Sequence, residues 1–252
     1  MLNLIIFSKN RSYQLDATIR SSIRGCFNSI SVVYFADEEH QKGYDILIKE
    51  YPNINFIKQT NFKQDILNCF KDEYTCFAAD DDIFIKDFNK ALLKEITDDV
   101  ICFSLRLGLN IDYCYSNDKP NKIKTYEDRG EFIKWNWRDE ELDFAYPLSV
   151  ISHIFRTKEI KELTEKIDFE NPNTYEGNLQ IFLKDLKPKM VAYKHSRVFG
   201  VPANSVNSSW TNRNGLIHAY SIKELNDRFL RGERINLDRE FNIHSAQQEY
   251  EI

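Results

Sequence analysis

Three consecutive aspartates, Asp80, Asp81 and Asp82, interrupt an otherwise apolar stretch, with Tyr74-Thr-Cys-Phe-Ala-Ala79 before them and Ile83-Phe-Ile85 after. Adjacent carboxylates are not tolerated inside a buried strand, because each charge taken from water without a partner is costly. They must stand where a strand leaves its sheet, either solvated or neutralised by a cation. Clustered carboxylate oxygens are natural ligands of hard divalent ions. The stretch therefore predicts a strand that ends in a metal and diphosphate site, at the carboxyl edge of an open α/β sheet.

The chain before the aspartates supports such a sheet. Leu2 to Phe7 is a nearly continuous apolar run, the pattern of a strand buried on both faces. A polar loop, Ser8 to Arg11, precedes a helix with Ser12 as N-cap, Leu15, Ile19 and Ile23 on one face and Gly25 at its end. Ile30 to Phe35 reads as the second strand, and Tyr44, Leu47 and Ile48 mark a second helix that Pro52 breaks. Ile54 to Ile57 is a third strand. Asn61 caps a third helix carrying Phe62, Ile66 and Phe70, and Tyr74 to Ala79 is the fourth strand. This β-α-β-α-β-α-β alternation implies a parallel sheet whose carboxyl-end loops gather on one edge, where ligands bind. The Ser8–Arg11 loop, the Asp37 loop, the Gln59–Lys63 loop and the aspartates should be neighbours. No G-x-G-x-x-G follows the first strand and no G-x-x-x-x-G-K-[ST] occurs, which disfavours dinucleotide-binding and P-loop folds.

Beyond the aspartates, Phe88, Leu92 and Ile96 predict a helix, with Asp87 placed to cap it, and Val100 to Leu105 a strand. From 108 to 143 the pattern loosens, as in long binding loops. A strand within Ala145–Phe155, a helix with Ile160, Leu163 and Ile167, a helix opened by the Asn171–Gly177 turn, a strand from Met190 to Tyr193 and a last helix ending near Gly232 complete the reading. Val201 to Ser209 reads as a polar loop. The expected organisation is a single domain over 1–252, regular over 1–106 and irregular over 107–252.

Composition excludes some classes. The net charge of −5 argues against nucleic acid as a main partner. The five cysteines are odd in number and form no Cys-x-x-Cys, so buried free thiols in a reducing compartment are expected. No apolar segment is long enough to span a bilayer, and the N-terminus reads as a strand instead of a signal peptide. A cytoplasmic location is expected, with peripheral contact at the inner face of the membrane left open.

The opening Ile5-Ile-Phe-Ser-Lys-Asn-Arg-Ser-Tyr-Gln-Leu15 and the segment Phe77-Ala-Ala-Asp-Asp-Asp-Ile-Phe84 together resemble GT-A glycosyltransferases of the kind that build bacterial surface polysaccharides. Three later segments, Ala145–Arg156, Asn171–Glu176 and Val201–Val206, are similar in kind to their acceptor-side segments. The resemblance implies an open, mostly parallel α/β sheet flanked by helices, with an acceptor-side C-terminal half. It implies sugar transfer from a nucleotide-diphosphate donor to a carbohydrate or lipid-linked acceptor, with Mn²⁺ or Mg²⁺. On it, Asp82 ligates the metal and Asp80 contacts the ribose or a metal-bound water, with Asp81 a contender for either place. Ser8, Arg11 and Asp37 match positions that hold base and ribose, and Lys63 reaches base or phosphate. A late histidine often joins the metal or pyrophosphate; His244 is preferred over His218.

The remaining candidates follow from residue chemistry. A direct, inverting displacement needs a carboxylate to take the acceptor proton. Glu176, whose setting in a turn opening a helix resembles the acidic segment that supplies the base in inverting members, is the expected base, with Asp143 and Glu141 as weaker alternatives. The ordinary alternative for Glu176 is a first-turn glutamate complementing the helix dipole, with Thr174 as the cap. Trp135 and Trp137, two apart, would share one side of a strand and offer a stacking platform for a sugar, although core packing is the commoner fate of tryptophan. His153 and Arg156 are placed along the acceptor cleft, and Arg197 with Arg213 as a phosphate clamp. Two other functions remain open: a nucleotidyltransferase acting on sugar phosphates, which would usually carry a glycine-rich loop after the first strand, and a non-catalytic nucleotide-sugar-binding module.

Overall fold

The computed structural model describes residues 1–206 and 213–252. The last three residues of the expected polar loop, 207–209, lie outside the described residues. The first half forms as the alternation implies. In order come β1 (Leu2–Lys9), α1 (Ser12–Ser22), β2 (Ser29–Phe35), α2 (Gln41–Glu50), β3 (Asn55–Lys58), α3 (Phe62–Leu67) and β4 (Tyr74–Ala79). All four strands are parallel, in the order β3-β2-β1-β4. The chain steps outward from β1 to β2 to β3, then returns to the far side of β1. That reversal opens a crevice outside the carboxyl ends of β1 and β4, the general place for ligands in such sheets.

Burial explains the continuous apolar runs. On β1, Leu2, Leu4 and Ile6 enter one core layer, whereas Ile5 and Phe7 enter the other. The first layer also takes Leu15 and Ile19 of α1 and Tyr44 and Leu47 of α2. The second takes Ile66 of α3. A strand sandwiched this way has no polar face, so alternation disappears from its sequence.

After the aspartates follow β5 (Asp82–Phe84), β6 (Val100–Ser104), β7 (Tyr113–Cys114), β8 (Lys119–Pro120), β9 (Glu127–Arg129), β10 (Phe132–Asn136), β11 (His153–Arg156), α4 (Thr157–Glu165), α5 (Pro172–Leu179), β12 (Lys189–Tyr193), β13 (Val198–Gly200) and α6 (Ile222–Leu230). Among the described residues the main sheet has nine strands, ordered β3-β2-β1-β4-β11-β6-β12-β10-β9. β11 is antiparallel to both β4 and β6, so β6 runs parallel to β4 and delivers its carboxyl end to the same edge. The sheet is therefore mixed, with helices on both faces and an irregular C-terminal region.

Several local expectations are corrected. Ser12 is the first residue of α1 and not its cap, which is Arg11 and makes no side-chain cap hydrogen bond, and Ile23 lies just past the helix and is exposed. The segment after the aspartates is a 3₁₀ turn, Lys90–Glu95, capped by Asn89, whose side chain accepts from Ala91 N at 2.9 Å. Asp87 is exposed and caps nothing. The strand expected within Ala145–Phe155 is confined to its end, because the chain before it turns sharply, with Ser152 at φ 54°. The loose stretch 108–143 contains β7 to β10, each too short to leave a periodic signature. α6 does stop where expected, with Gly232 at φ 90° just beyond it.

Candidate functional site

The two strand ends that meet at the crevice are joined by side chains. Ser8 Oγ, at the end of β1, donates to Asp80 Oδ2 at 2.9 Å, and Lys9 N donates to the same oxygen at 3.2 Å. Tyr44, from α2, places its hydroxyl 2.6 Å from Ser8 Oγ and accepts from Arg11 N at 3.2 Å. Thr18 of α1 donates to the Asp80 carbonyl at 2.8 Å. Arg11, the residue before α1, faces the acidic turn: Nη1 donates to Asp81 Oδ2 at 3.0 Å, and Nη2 ion-pairs with Asp80 Oδ1, also at 3.0 Å. The second contact lacks the alignment of a hydrogen bond, so Asp80 Oδ1 is buried without one.

The three aspartates differ in role. Asp80 and Asp81 line a cavity of about 850 Å³. Asp82 begins β5 and lies behind the cavity wall. Its Oδ2 accepts from Ala79 N at 3.2 Å and from Ser152 Oγ at 2.9 Å, which pins the turn to the chain before β11. Its Oδ1 is buried with no hydrogen-bond partner. Gly200 backs onto this oxygen: a Cβ there would stand 3.4 Å from Asp82 Oδ1 and 3.5 Å from Gln247 Cγ. Burial raises the Asp82 carboxyl to about 7, with Asp81 adding repulsion. Burial likewise raises Asp80, to about 6, against the pull of Arg11. Both values are those of carboxylates short of positive charge.

The cavity has two walls of different chemistry. One is the carboxyl ends of β1 and β2 with α3; here Phe7, Val33, Phe35 and Phe62 present apolar surface and Gln59 an amide. The other is built by Arg106, Asp143, Tyr146 and Glu176. Glu176 rides on α5, whose start is fixed by a capping box. Asn171 accepts from Asn173 N and Thr174 N at 3.1 and 3.0 Å, and Thr174 Oγ1 accepts from Asn171 N at 3.1 Å. Asn171 is thus the cap, with Thr174 its reciprocal partner, and the first turn holds no acidic residue. Glu176 Oε2 accepts from Val150 N at 2.7 Å and from Ser149 Oγ at 3.1 Å. Burial raises its carboxyl above the usual range, while Arg106 and these donors oppose the rise. Arg106 Nη2 donates to Asp143 Oδ1 at 3.3 Å, and Asn121 Nδ2 to Asp143 Oδ2 at 2.9 Å.

The structure thus brings together Ser8, Arg11, Asp80, Asp81 and Glu176. Other expected residues stand elsewhere. Asp37 lies beyond the cavity lining, bound to His40 Nδ1 at 2.6 Å and Asn10 Nδ2 at 2.7 Å. Lys63 points to Asp168, 3.0 Å away. His244 is exposed beside Asp112, at 3.2 Å, and does not reach the aspartates. Trp135 and Trp137 are core residues: their indole N–H groups donate to Phe144 O at 2.9 Å and Lys187 O at 2.8 Å. A tryptophan enclosed with its one donor satisfied has no face left for a sugar. His153, on β11 and paired with Ser104 of β6, is fully buried, and burial lowers its imidazole to about 3. Arg156 pairs in register with Tyr74, the amino end of β4, so it lies at the opposite edge of the sheet and binds Val100 O and Ile96 O. Of the arginine pair, Arg213 lines the cavity and Arg197 stacks on Tyr193 with its guanidinium 4.1 Å from the ring.

Arg106, Tyr146 and Gln247 are cavity residues that the sequence reading passed over. Arg106 had a usable signal, since it follows a strand end just as the aspartates do. Among the described residues no group of three or more His, Cys, Asp or Glu forms a ready metal cluster. A divalent ion can be held by one or two carboxylates, with substrate phosphates and water completing its shell. The donor set fits such an ion: two cavity-lining carboxylates, one with a buried oxygen lacking a hydrogen bond.

The fold is GT-A-like, a mixed sheet flanked by helices with an irregular C-terminal region. No family model matches the chain. It is 26% identical over 222 residues to the bifunctional glycosyltransferase pgtA of Dictyostelium discoideum, covering 73% of this chain and 29% of that protein. The chain thus spans less than a third of that relative's length. Among solved structures, TarS of S. aureus matches with a TM-score of 0.49 at 12% identity, over 80% of this chain and 37% of that one. A cytidylyltransferase from Leptospira borgpetersenii matches with a TM-score of 0.43 at 10% identity, over 78% of this chain and 76% of that one. The mannosyltransferase PcManGT from Pyrobaculum calidifontis, solved with GDP-Man and Mn²⁺, has a TM-score of 0.43 at 9% identity, over 77% of this chain and 54% of that one. Among the described residues no helix is long and apolar enough to cross a membrane.

Proposed function

We propose that this chain transfers a sugar from a nucleotide-diphosphate sugar to a hydroxyl of a carbohydrate or lipid-linked acceptor, by direct displacement with inversion. The carrying observation is one cavity lined by Asp80, Asp81 and Arg11 together with the buried carboxylate of Glu176. The likeness to a protein named a glycosyltransferase supports the same reading. The nucleotidyltransferase reading has less support, because the β1–α1 connection, Asn10-Arg11, contains no glycine.

The apolar wall of Phe7, Val33 and Phe35 suits a nucleobase. Ser8 and Asp80 are tied to each other at the strand ends and hold the turn that faces the diphosphate. Asp80 and Asp81 would hold Mn²⁺ or Mg²⁺, in preference to Asp82, whose carboxylate bonds to the turn behind them. A bound divalent ion would supply Lewis-acid stabilisation of the charge growing on the diphosphate leaving group. Glu176 takes the acceptor hydroxyl proton as that oxygen bonds the anomeric carbon and the diphosphate departs with the bonding pair. Its raised proton affinity brings it nearer the operating pH, where a general base is most effective. Arg106 and Asp143 flank it and orient the acceptor. A surface-polysaccharide acceptor, in a bacterial setting, is the specific form of this proposal.

The test is a thermal-shift screen of UDP-, GDP-, dTDP- and CMP-sugars with and without Mn²⁺. A donor at 100 times its dissociation constant stabilises by about 2.7 kcal/mol. A donor that stabilises only with Mn²⁺, and is then consumed when acceptor sugars are added, supports the reading. Donor binding with no transfer to any acceptor, and no hydrolysis, would instead favour a binding module.

A further inference from the structure

We propose that Arg11 is a built-in counter-cation that competes with the divalent ion for Asp80 and Asp81, and that ion and diphosphate together displace it. The inference rests on the metal-dependent reading above and adds to it an internal competitor. The geometry leaves few oxygens for an incoming ion. Asp80 Oδ2 already accepts from Ser8 Oγ and Lys9 N, so Oδ1 is the atom left to bind a cation. Arg11 Nη2 stands 3.0 Å from that oxygen, and Nη1 stands 3.0 Å from Asp81 Oδ2. An ion and a guanidinium cannot both occupy these positions, because two cations in one small, enclosed site repel strongly.

The side chain is built to leave while its backbone stays. Arg11 N is held by Tyr44 Oη at 3.2 Å, and its carbonyl accepts from Leu15 N at 2.9 Å at the start of α1. Its Nε is buried without a hydrogen-bond partner, so the present position does not satisfy the guanidinium fully. A planar guanidinium pairs well with phosphate oxygens. Once displaced, Arg11 still lines the cavity beside the place assigned to the diphosphate, and phosphate replaces carboxylate as its partner. In this arrangement the acidic turn is neutralised before substrate arrives, and tight ion binding waits for the diphosphate.

The test measures Mn²⁺ binding to the whole chain by calorimetry, without and with inorganic pyrophosphate. An adjacent arginine lowers a carboxylate's proton affinity by about one to three powers of ten, and an incoming divalent cation meets the same repulsion. Arg11→Gln should therefore bind Mn²⁺ on the order of tenfold tighter than wild type without pyrophosphate, and Arg11→Lys should stay near wild type. Pyrophosphate should strengthen Mn²⁺ binding more in the wild type than in Arg11→Gln. Equal or weaker Mn²⁺ binding by a folded Arg11→Gln overturns the inference and leaves the metal reading standing. Absence of Mn²⁺ binding in every variant, with or without pyrophosphate, overturns both. A second measurement needs no loss of the arginine: the Arg11 Nε–H resonance of the wild type, assigned by its loss in Arg11→Lys, should shift on adding Mg²⁺ with pyrophosphate. An unmoved resonance at saturating Mg²⁺ and pyrophosphate also overturns the inference.

Discussion

Replacing Asp82 by asparagine should destabilise the protein at low pH and stabilise it at high pH. The sign follows from linkage. The folded-state value of Asp82 is raised from 3.8 to about 7 by burial and by Asp81. A raised carboxyl binds more protons in the folded than in the unfolded state between those values, so its favourable contribution is present below 3.8 and lost as pH rises through 7. At about 1.4 kcal/mol per tenfold change in proton affinity, that loss is about 4 kcal/mol by pH 8. Asparagine has nothing to lose with pH. It keeps an oxygen for Ala79 N and Ser152 Oγ, but sets an amide where Oδ1 has no partner. A buried unsatisfied donor costs about 1–3 kcal/mol. Asp82→Asn should thus be less stable than wild type by about 1–3 kcal/mol near pH 4. Near pH 8 it should be more stable by about 2 kcal/mol, or about 4–8 °C in Tm. Urea titrations followed by tryptophan fluorescence, without divalent ions, would measure both ends. A difference that stays constant from pH 4 to 8 refutes the claim that Asp82 is a buried carboxylate carrying unrelieved charge.

Glu176→Gln should lower kcat by about 100- to 10,000-fold with donor affinity unchanged. It should also remove the acidic limb of the pH–rate profile, which in the wild type lies above the usual carboxylate range because burial raises Glu176; single-turnover transfer at several pH values would check both. Trp135→Phe strands the buried Phe144 carbonyl and should destabilise by about 1–3 kcal/mol while leaving the acceptor KM untouched. A raised acceptor KM without loss of stability would restore the platform assignment. Glu249 accepts from three consecutive backbone N–H groups, Leu216, Ile217 and His218, at 2.9, 2.7 and 2.9 Å. Glu249→Ala should cost about 2 kcal/mol in urea unfolding, and an unchanged midpoint would mean that water replaces the carboxylate without penalty.

The first half of the fold was legible because its strands are buried on both faces. Leu2 to Phe7 and Tyr74 to Ala79 need no partner to be recognised: continuous apolar runs of that length, separated by helices with an apolar face, have few other solutions. Asn61 shows the same at the level of one residue, its side chain accepting from Gln64 N at 3.1 Å as a cap should. The second half was not legible because its information is tertiary. β11 is four residues long and inserts antiparallel between β4 and β6, and no local pattern signals that insertion. Trp135 and Trp137 looked alike two residues apart, yet Trp135 belongs to β10 and Trp137 to the turn after it. Side-by-side display on one strand face was therefore never available to them.

The site followed the same division. Ser8 at the end of β1 and Asp80 after β4 line the cavity, whereas Asp37 after β2 and Lys63 after β3 do not, although both strands form as read. Arg106 stands in the equivalent place after β6, and was missed only because the sheet order beyond β4 is invisible in sequence. Residues placed by likeness of late segments fared less well, since His244 and Arg156 depend on how an irregular chain returns. The three aspartates show why a motif alone does not decide roles. The turn sets Asp80 and Asp81 toward the cavity and leaves Asp82, the first residue of β5, outside its lining, and neighbours divide the work further. Ser8 and Lys9 claim one oxygen of Asp80, Ala79 and Ser152 claim one of Asp82, and Arg11 spans Asp80 and Asp81. Which carboxylate oxygens are left without a hydrogen bond is thus set by the donors already present, and those donors come from three separate stretches of the chain.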